Sequence, residues 1–95
     1  MRDGSTADTV VEISPGMSQQ QATTQRQTAD QLIAATEVNL KKIEARQLQP
    51  NEQETVGQIH NYLEQARTAL KAGDLERSRN LAFKANLLSA DLLPH

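Results

Sequence analysis

The sequence contains no cysteine, and this absence excludes disulfide bonds, thiolate nucleophiles and sulfur-ligated metal sites. It leaves the cellular compartment open, because cysteine-free proteins occur in every compartment. The chain also lacks any run close to the roughly 18 apolar residues of a membrane-spanning helix, so we expect no membrane insertion within it. Its first residues lead into polar ones without the apolar core of a signal peptide, so we expect any export signal or anchor to lie upstream.

The chain also has no large excess of positive or negative charge. The ten basic and twelve acidic residues give a formal net charge of -2. The two signs are spread evenly along the chain. Residues 1–27 include two basic and three acidic residues, and residues 28–95 include eight basic and nine acidic residues. Neither part has a field that would attract phosphate groups or anionic lipids. We therefore expect no nucleic acid partner.

The chain also lacks the usual marks of catalytic and nucleotide sites. Its four glycines are scattered and never form a loop that could surround a phosphate. Ser78 and Ser89 fall in the middle of a predicted helix, with no glycine-flanked turn to expose a nucleophile, which favours a packing role. We predict that the protein is not an enzyme and uses no cofactor.

A chain of 95 residues allows one domain, and its N-terminal part differs from the rest. Residues 1–27 combine glycine, serine and proline with a run rich in glutamine and threonine. Such a segment buries too little apolar surface to offset its ordering entropy, so we predict a disordered polar tail or tether. Ser18 or Thr24 could nevertheless cap an early extension of the first helix.

Residues 28–95 are predicted to form three helices. The first covers about 28–47, with Thr28 and Gln31 spaced as a capping box. Pro50 interrupts the helical pattern and suits the first turn of a second helix over about 50–72. Gly73 supplies a left-handed C-cap, and a third helix follows over about 75–93. We predict an all-α three-helix bundle built on an antiparallel hairpin of the second and third helices.

Each predicted helix has an apolar side. In the first helix it comprises Ala29, Leu32, Ile33, Thr36, Leu40 and Ile43, with Val38 outside it. In the second helix it comprises Val56, Ile59, Tyr62, Leu63, Ala66, Ala69 and Leu70. The third helix has two apolar arcs, one formed by Leu75, Leu81, Ala82, Ala85, Leu88 and Leu92 and the other by Phe83, Leu87 and Ala90. Together these arcs cover well over half of its circumference.

Two explanations fit this excess of apolar surface. In one, the third helix is central and the other two helices cover both of its arcs. In the other, Phe83 and Leu87 remain exposed in the monomer and mark a dimer or partner surface, since contiguous apolar patches seldom stay in water. Phe83, Leu87 and Ala90 are the candidate partner-binding residues under this second explanation.

Residues 62–85 resemble a tetratricopeptide-type helical hairpin. Gly73 matches the turn of that motif, and its small packing positions correspond to Ala66, Ser78 and Ala85. The resemblance implies a single hairpin. It does not imply the peptide-binding groove of that family, because Ala82 replaces an aromatic residue, no proline follows the repeat, and no second copy appears.

Residues 81–88 and 45–48 are similar to the C-terminal helical segment of uncharacterised bacterial envelope proteins, some anchored by lipid. The similarity extends over about residues 28–95. It implies a periplasmic or cell-envelope location, with residues 1–27 as a spacer after an anchor.

One pattern suggests a metal or acid–base site. His60 and Glu64 are four residues apart on the second helix, which can bring a nitrogen and a carboxylate to one ion, although metal sites need three or four ligands. Glu44, Glu52 and Glu54 lie near Pro50 in sequence, and the last two also suit a helix start.

The sequence therefore predicts a small helical module for protein–protein interaction or assembly through the third helix, with another protein or a second copy as partner. One alternative is a structural spacer or terminal domain of a larger envelope protein without a partner. Another is a weak metal-binding protein with its site around His60 and Glu64.

Overall fold

The structure is a computed structural model that describes residues 18–94. It contains three α-helices, namely α1 (Gln19–Glu44), α2 (Pro50–Lys71) and α3 (Leu75–Leu92). Residues 18–94 contain no β-strand. The prediction of an all-α bundle of three helices is confirmed.

Helix α1 begins nine residues before Thr28, so the predicted start is wrong, whereas the expectation that Ser18 could cap an early extension is confirmed. Ser18 and Gln21 form the capping box instead: the Ser18 Oγ accepts from the Gln21 amide at 3.1 Å, and the Gln21 Oε1 accepts from the Ser18 amide at 2.9 Å. Residues 19–27, predicted as tether, are therefore helical, and glutamine's favourable helix propensity supports this. The rest of the predicted tail, residues 1–17, lies outside the described residues.

The connection between α1 and α2 agrees with the prediction. Helix α1 ends at Glu44, three residues before the predicted end, and Pro50 occupies the first turn of α2. The Glu52 Oε1 accepts a hydrogen bond from the Gln49 amide at 2.8 Å, so this carboxylate satisfies a free donor at the start of α2. The predicted role of Glu52 as a helix-start residue is confirmed.

The turn between α2 and α3 has the predicted glycine C-cap. Gly73 has a φ of 82°, in the left-handed region. The Asp74 amide donates to the Ala69 carbonyl oxygen at 2.9 Å and the Gly73 amide donates to that of Leu70 at 3.1 Å, which is the Schellman pattern. The Asp74 carboxylate then accepts from the Arg77 amide at 3.4 Å and caps α3.

Helix α3 is the central helix. It packs extensively against both α1 and α2, whereas α1 and α2 contact each other little. The Ser78 Oγ donates to the Ala66 carbonyl oxygen at 2.8 Å across the contact with α2, and the Asn39 Nδ2 donates to the Ser89 Oγ at 3.0 Å across the contact with α1. Because the chain reverses direction twice, α1 and α3 run parallel.

The predicted apolar sides of the helices form the core. Its buried members are Ile33, Leu40, Ile43, Val56, Ile59, Leu63, Ala66, Leu81, Ala82 and Ala85. Leu32, Tyr62, Leu88 and Leu92 are half-buried at its edge. The positions that resemble a tetratricopeptide hairpin, Ala66, Ser78 and Ala85, are fully buried, so small residues stand where the helices approach most closely.

Candidate functional site

The second apolar arc of α3 is exposed. Phe83 and Leu87 retain 50% and 51% of their accessible surface, and Ala90 is also exposed. Steps of four and three residues place these side chains in one stripe, which we name the α3 face and define as Phe83, Leu87 and Ala90. The structure thus combines elements of both explanations: α3 is central, and its second arc is open.

Packing on the other side of α3 explains this exposure. Its core side is occupied by Leu75, Ser78, Leu81, Ala82, Ala85 and Ser89, all buried against α1 and α2. Two flanking helices can cover the core side and its edges, but they leave the outward stripe open. A third neighbour would be required to cover Phe83 and Leu87 fully.

Polar and charged residues border the α3 face. Lys84 and Asp91 are exposed on one flank of the stripe, and Glu76 and Asn80 precede it along the helix. Neither Lys84 nor Asp91 forms an ion pair with another of residues 18–94. An apolar centre with a polar border is the usual composition of a protein interface.

The opposite side of the molecule has an open groove between α1 and α2. Leu40 and Leu63 are buried below it, and Val38 is 52% exposed at its wall. An ion pair between Glu37 and Arg67 and a hydrogen bond between Glu44 and His60 cross it. Val38, predicted to lie outside the apolar side of its helix, is therefore the third large apolar side chain that residues 18–94 expose.

His60 does not pair with Glu64 as the helical spacing suggested. Its Nε2 lies 2.8 Å from the Glu44 Oε2, so its partner belongs to α1. Within the described part of the chain, no three side chains of the metal-binding types are grouped as ligands. The glutamates near Pro50 have different surroundings. Glu44 contacts His60, Glu52 contacts Arg46, and Glu54 is exposed.

Glu52 has a perturbed carboxyl group. Its pKa is lowered from the ordinary value of 4.5, first because the carboxylate accepts the Gln49 amide hydrogen bond and second because the Arg46 side chain donates to it. Arg46 Nη2 lies 3.2 Å from Glu52 Oε2, and Nη1 lies 3.4 Å from Oε1. This ion pair joins the end of α1 to the start of α2, so its role is structural.

The two serines considered as nucleophiles are fully buried. The Ser78 hydroxyl donates to the Ala66 carbonyl oxygen, and the Ser89 hydroxyl donates to that of Asn86 at 2.8 Å while it accepts from Asn39. Both hydroxyls are engaged in helix packing, and the prediction of that role is confirmed.

No helix among residues 18–94 is both long and apolar enough to cross a membrane. The chain matches no family model, no curated protein and no solved structure. The resemblances to a tetratricopeptide hairpin and to bacterial envelope proteins therefore stay predictions.

Sequence reasoning also missed the contacts that Arg46 and Asn39 make with other helices. Arg46 is an exposed side chain whose guanidinium contacts Glu52 and the Leu92 carbonyl oxygen. Asn39 lies beside the apolar side of α1, at a position where a polar residue could have indicated a partner on the facing helix.

Proposed function

We propose that this chain is a helical interaction module that binds a protein partner through the α3 face. The observation that supports this most strongly is the half-exposure of Phe83 and Leu87 on the helix that also organises the core. Completing the burial of both side chains would contribute about 1 kcal/mol each, because full burial of such a residue is worth about 1.5–3 kcal/mol.

The size of the α3 face sets the expected strength of binding. One helix stripe buries less surface than the roughly 1,200–2,000 Å² of a stable interface, so association through it belongs to the weak and transient class. Phe83 is the aromatic anchor, and Lys84 and Asp91 form the charged border. Weak binding of this kind suits an assembly module that acts in several copies or beside other contacts.

Site-specific photocrosslinking in the source cells tests this proposal. A photoreactive phenylalanine analogue replaces Phe83 in one variant and Val38 in a matched control, since the two residues are exposed to 50% and 52%. We expect a discrete protein adduct from position 83, lost when Leu87→Asp is added, and none from position 38. Adducts of equal yield from both positions would overturn the proposal.

The same experiment addresses the structural alternative. A spacer or terminal domain without a partner would leave the α3 face in contact with water, and position 83 would give no adduct. That result would favour the structural role over the interaction role.

A further inference from the structure

We propose that the α3 face binds a second copy of this chain, with the two α3 helices antiparallel about a two-fold axis close to Leu87. This inference rests on the proposed function and specifies its partner. Its basis is that the α3 face and its charged flank are complementary to themselves when one copy is reversed.

Side-chain size supports this arrangement. At about 100° per residue, Phe83, Leu87 and Ala90 lie within an arc of about 60°. When two such helices are antiparallel and the axis passes near Leu87, Phe83 lies level with Ala90 of the second copy. The largest side chain of the face then packs over the smallest one, twice by symmetry, while the two Leu87 side chains meet at the centre.

Charge supports the same register independently. Lys84 and Asp91 occupy one flank of the α3 face, about 20° apart around the helix. In a two-fold antiparallel pair, each flank of the α3 face lies beside the same flank of the second copy. Lys84 therefore lies opposite Asp91 of the second copy. The size and charge pairings place the axis within half a residue of Leu87, or about 0.8 Å along the helix.

A parallel pair lacks this match. In that arrangement, the flank with Lys84 and Asp91 would face the other flank of the second copy, which carries Arg79 and Asn86 and no acidic residue of α3. Lys84 would have no opposite charge to contact. Antiparallel packing also sets the helix dipoles in opposite directions, which favours it further.

Charge-exchange variants test the partner and the register by sedimentation equilibrium, at protein concentrations up to about 1 mM because the dimer is expected to be weak. We expect the wild-type chain to dimerise. Lys84→Asp or Asp91→Lys alone should weaken the dimer roughly fivefold or more, because each places like charges opposite each other twice. The double variant should restore wild-type affinity. Weakening by both single changes without restoration in the double variant would overturn the proposed register.

Crosslinking of single-cysteine variants tests the direction of the helices. The chain has no cysteine, so each variant carries one thiol. With a short bismaleimide, Leu87→Cys should give a covalent dimer, since this position lies at the axis. Asn80→Cys should not, because its two copies would be separated by about 21 Å along the helices. Equal crosslinking at both positions indicates a parallel pair and overturns the proposal.

The remaining outcomes separate this inference from the proposed function. A wild-type chain that stays monomeric, with position 83 crosslinked to a different protein, overturns the second copy as partner and leaves the interaction function standing. A monomeric chain without any adduct from position 83 overturns both. Circular dichroism of every variant verifies that its helices are intact.

Discussion

The Arg46 Nη2 donates a 2.7 Å hydrogen bond to the carbonyl oxygen of Leu92, which ties the end of α1 to the end of α3. The Leu92 carbonyl belongs to the last turn of α3, where no amide of the same helix remains to donate. The same guanidinium contacts Glu52 at the start of α2. One side chain thus links all three helices at one end of the bundle.

Replacement of Arg46 tests this link. We expect Arg46→Ala to lower the free energy of unfolding by about 1 kcal/mol, because it removes a helix-end hydrogen bond together with a partly screened ion pair. Arg67→Ala is the control, since Arg67 forms one exposed ion pair with Glu37, and its effect should stay below about 0.5 kcal/mol. Urea denaturation of both variants measures the difference, and equal losses would argue against the link.

The lowered pKa of Glu52 predicts a pH dependence of stability. Its pKa in the folded state lies below the ordinary 4.5, so the ionised carboxylate stabilises the fold above about pH 4.5, and this contribution is lost as the pH falls through the folded-state pKa. Glu52→Gln should therefore be less stable than wild type at neutral pH, with a difference that shrinks in acid. Thermal unfolding at a series of pH values measures this, and a constant difference would contradict the assigned cause.

Two glycines should respond to alanine in opposite directions. Gly73→Ala should destabilise the fold by about 1 kcal/mol, because a Cβ strains the left-handed backbone at φ 82°. Gly57 is exposed within α2, and a Cβ there would meet no atom within 4 Å. Gly57→Ala should stabilise the fold by about 0.5–1 kcal/mol. A melting temperature of Gly73→Ala at or above that of wild type would count against the assigned C-cap.

Ser78 is predicted to tolerate loss of its hydroxyl better than an increase in size. Ser78→Ala should cost about 1 kcal/mol through the lost hydrogen bond to Ala66. Ser78→Leu should cost about 3 kcal/mol or more, because the site is fully buried where α2 and α3 meet. Thr68→Leu, at an exposed position of α2, controls for the added apolar group. If Ser78→Leu lowered the free energy of unfolding no more than Ser78→Ala, the packing between α2 and α3 at this site would be loose.

Much of the fold could be predicted from the sequence because local signals decided it. Pro50 and Gly73 marked the helix boundaries through backbone chemistry that needs no tertiary contact. Apolar periodicity identified most of the buried apolar residues, including the small ones at 66 and 85. These signals act within a few residues, so they can be recognised without knowledge of the packing.

The start of α1 could not be located in the same way. Residues 19–28 carry glutamine and threonine rather than an apolar stripe, so periodicity gave no signal there. Three pairs have the spacing of a capping box, namely Ser18 with Gln21, Thr24 with Gln27 and Thr28 with Gln31. The structure uses the capping box of Ser18 and Gln21. Because the helix continues through Thr28, the amides near Thr28 are bonded within the helix and need no cap. The continuity of the helix therefore decides which of these local signals is used.

The candidate site was predictable only in part. Excess apolar surface on α3 was evident from residues 83, 87 and 90, but their exposure depends on where α1 and α2 lie around α3. The contacts of His60 with Glu44 and of Arg46 with Leu92 join residues distant in sequence, so helical spacing could not indicate them. Tertiary geometry determines which exposed groups meet.

The central claim, that the chain associates through the α3 face, is tested most directly by comparing Leu87→Asp with Val38→Asp. The two original side chains are exposed to 51% and 52%, and they lie on opposite sides of the molecule. We predict that sedimentation equilibrium will show dimers in the wild-type chain and in Val38→Asp, and at least tenfold weaker association in Leu87→Asp with unchanged helicity. Association of Leu87→Asp as strong as that of Val38→Asp would contradict the account.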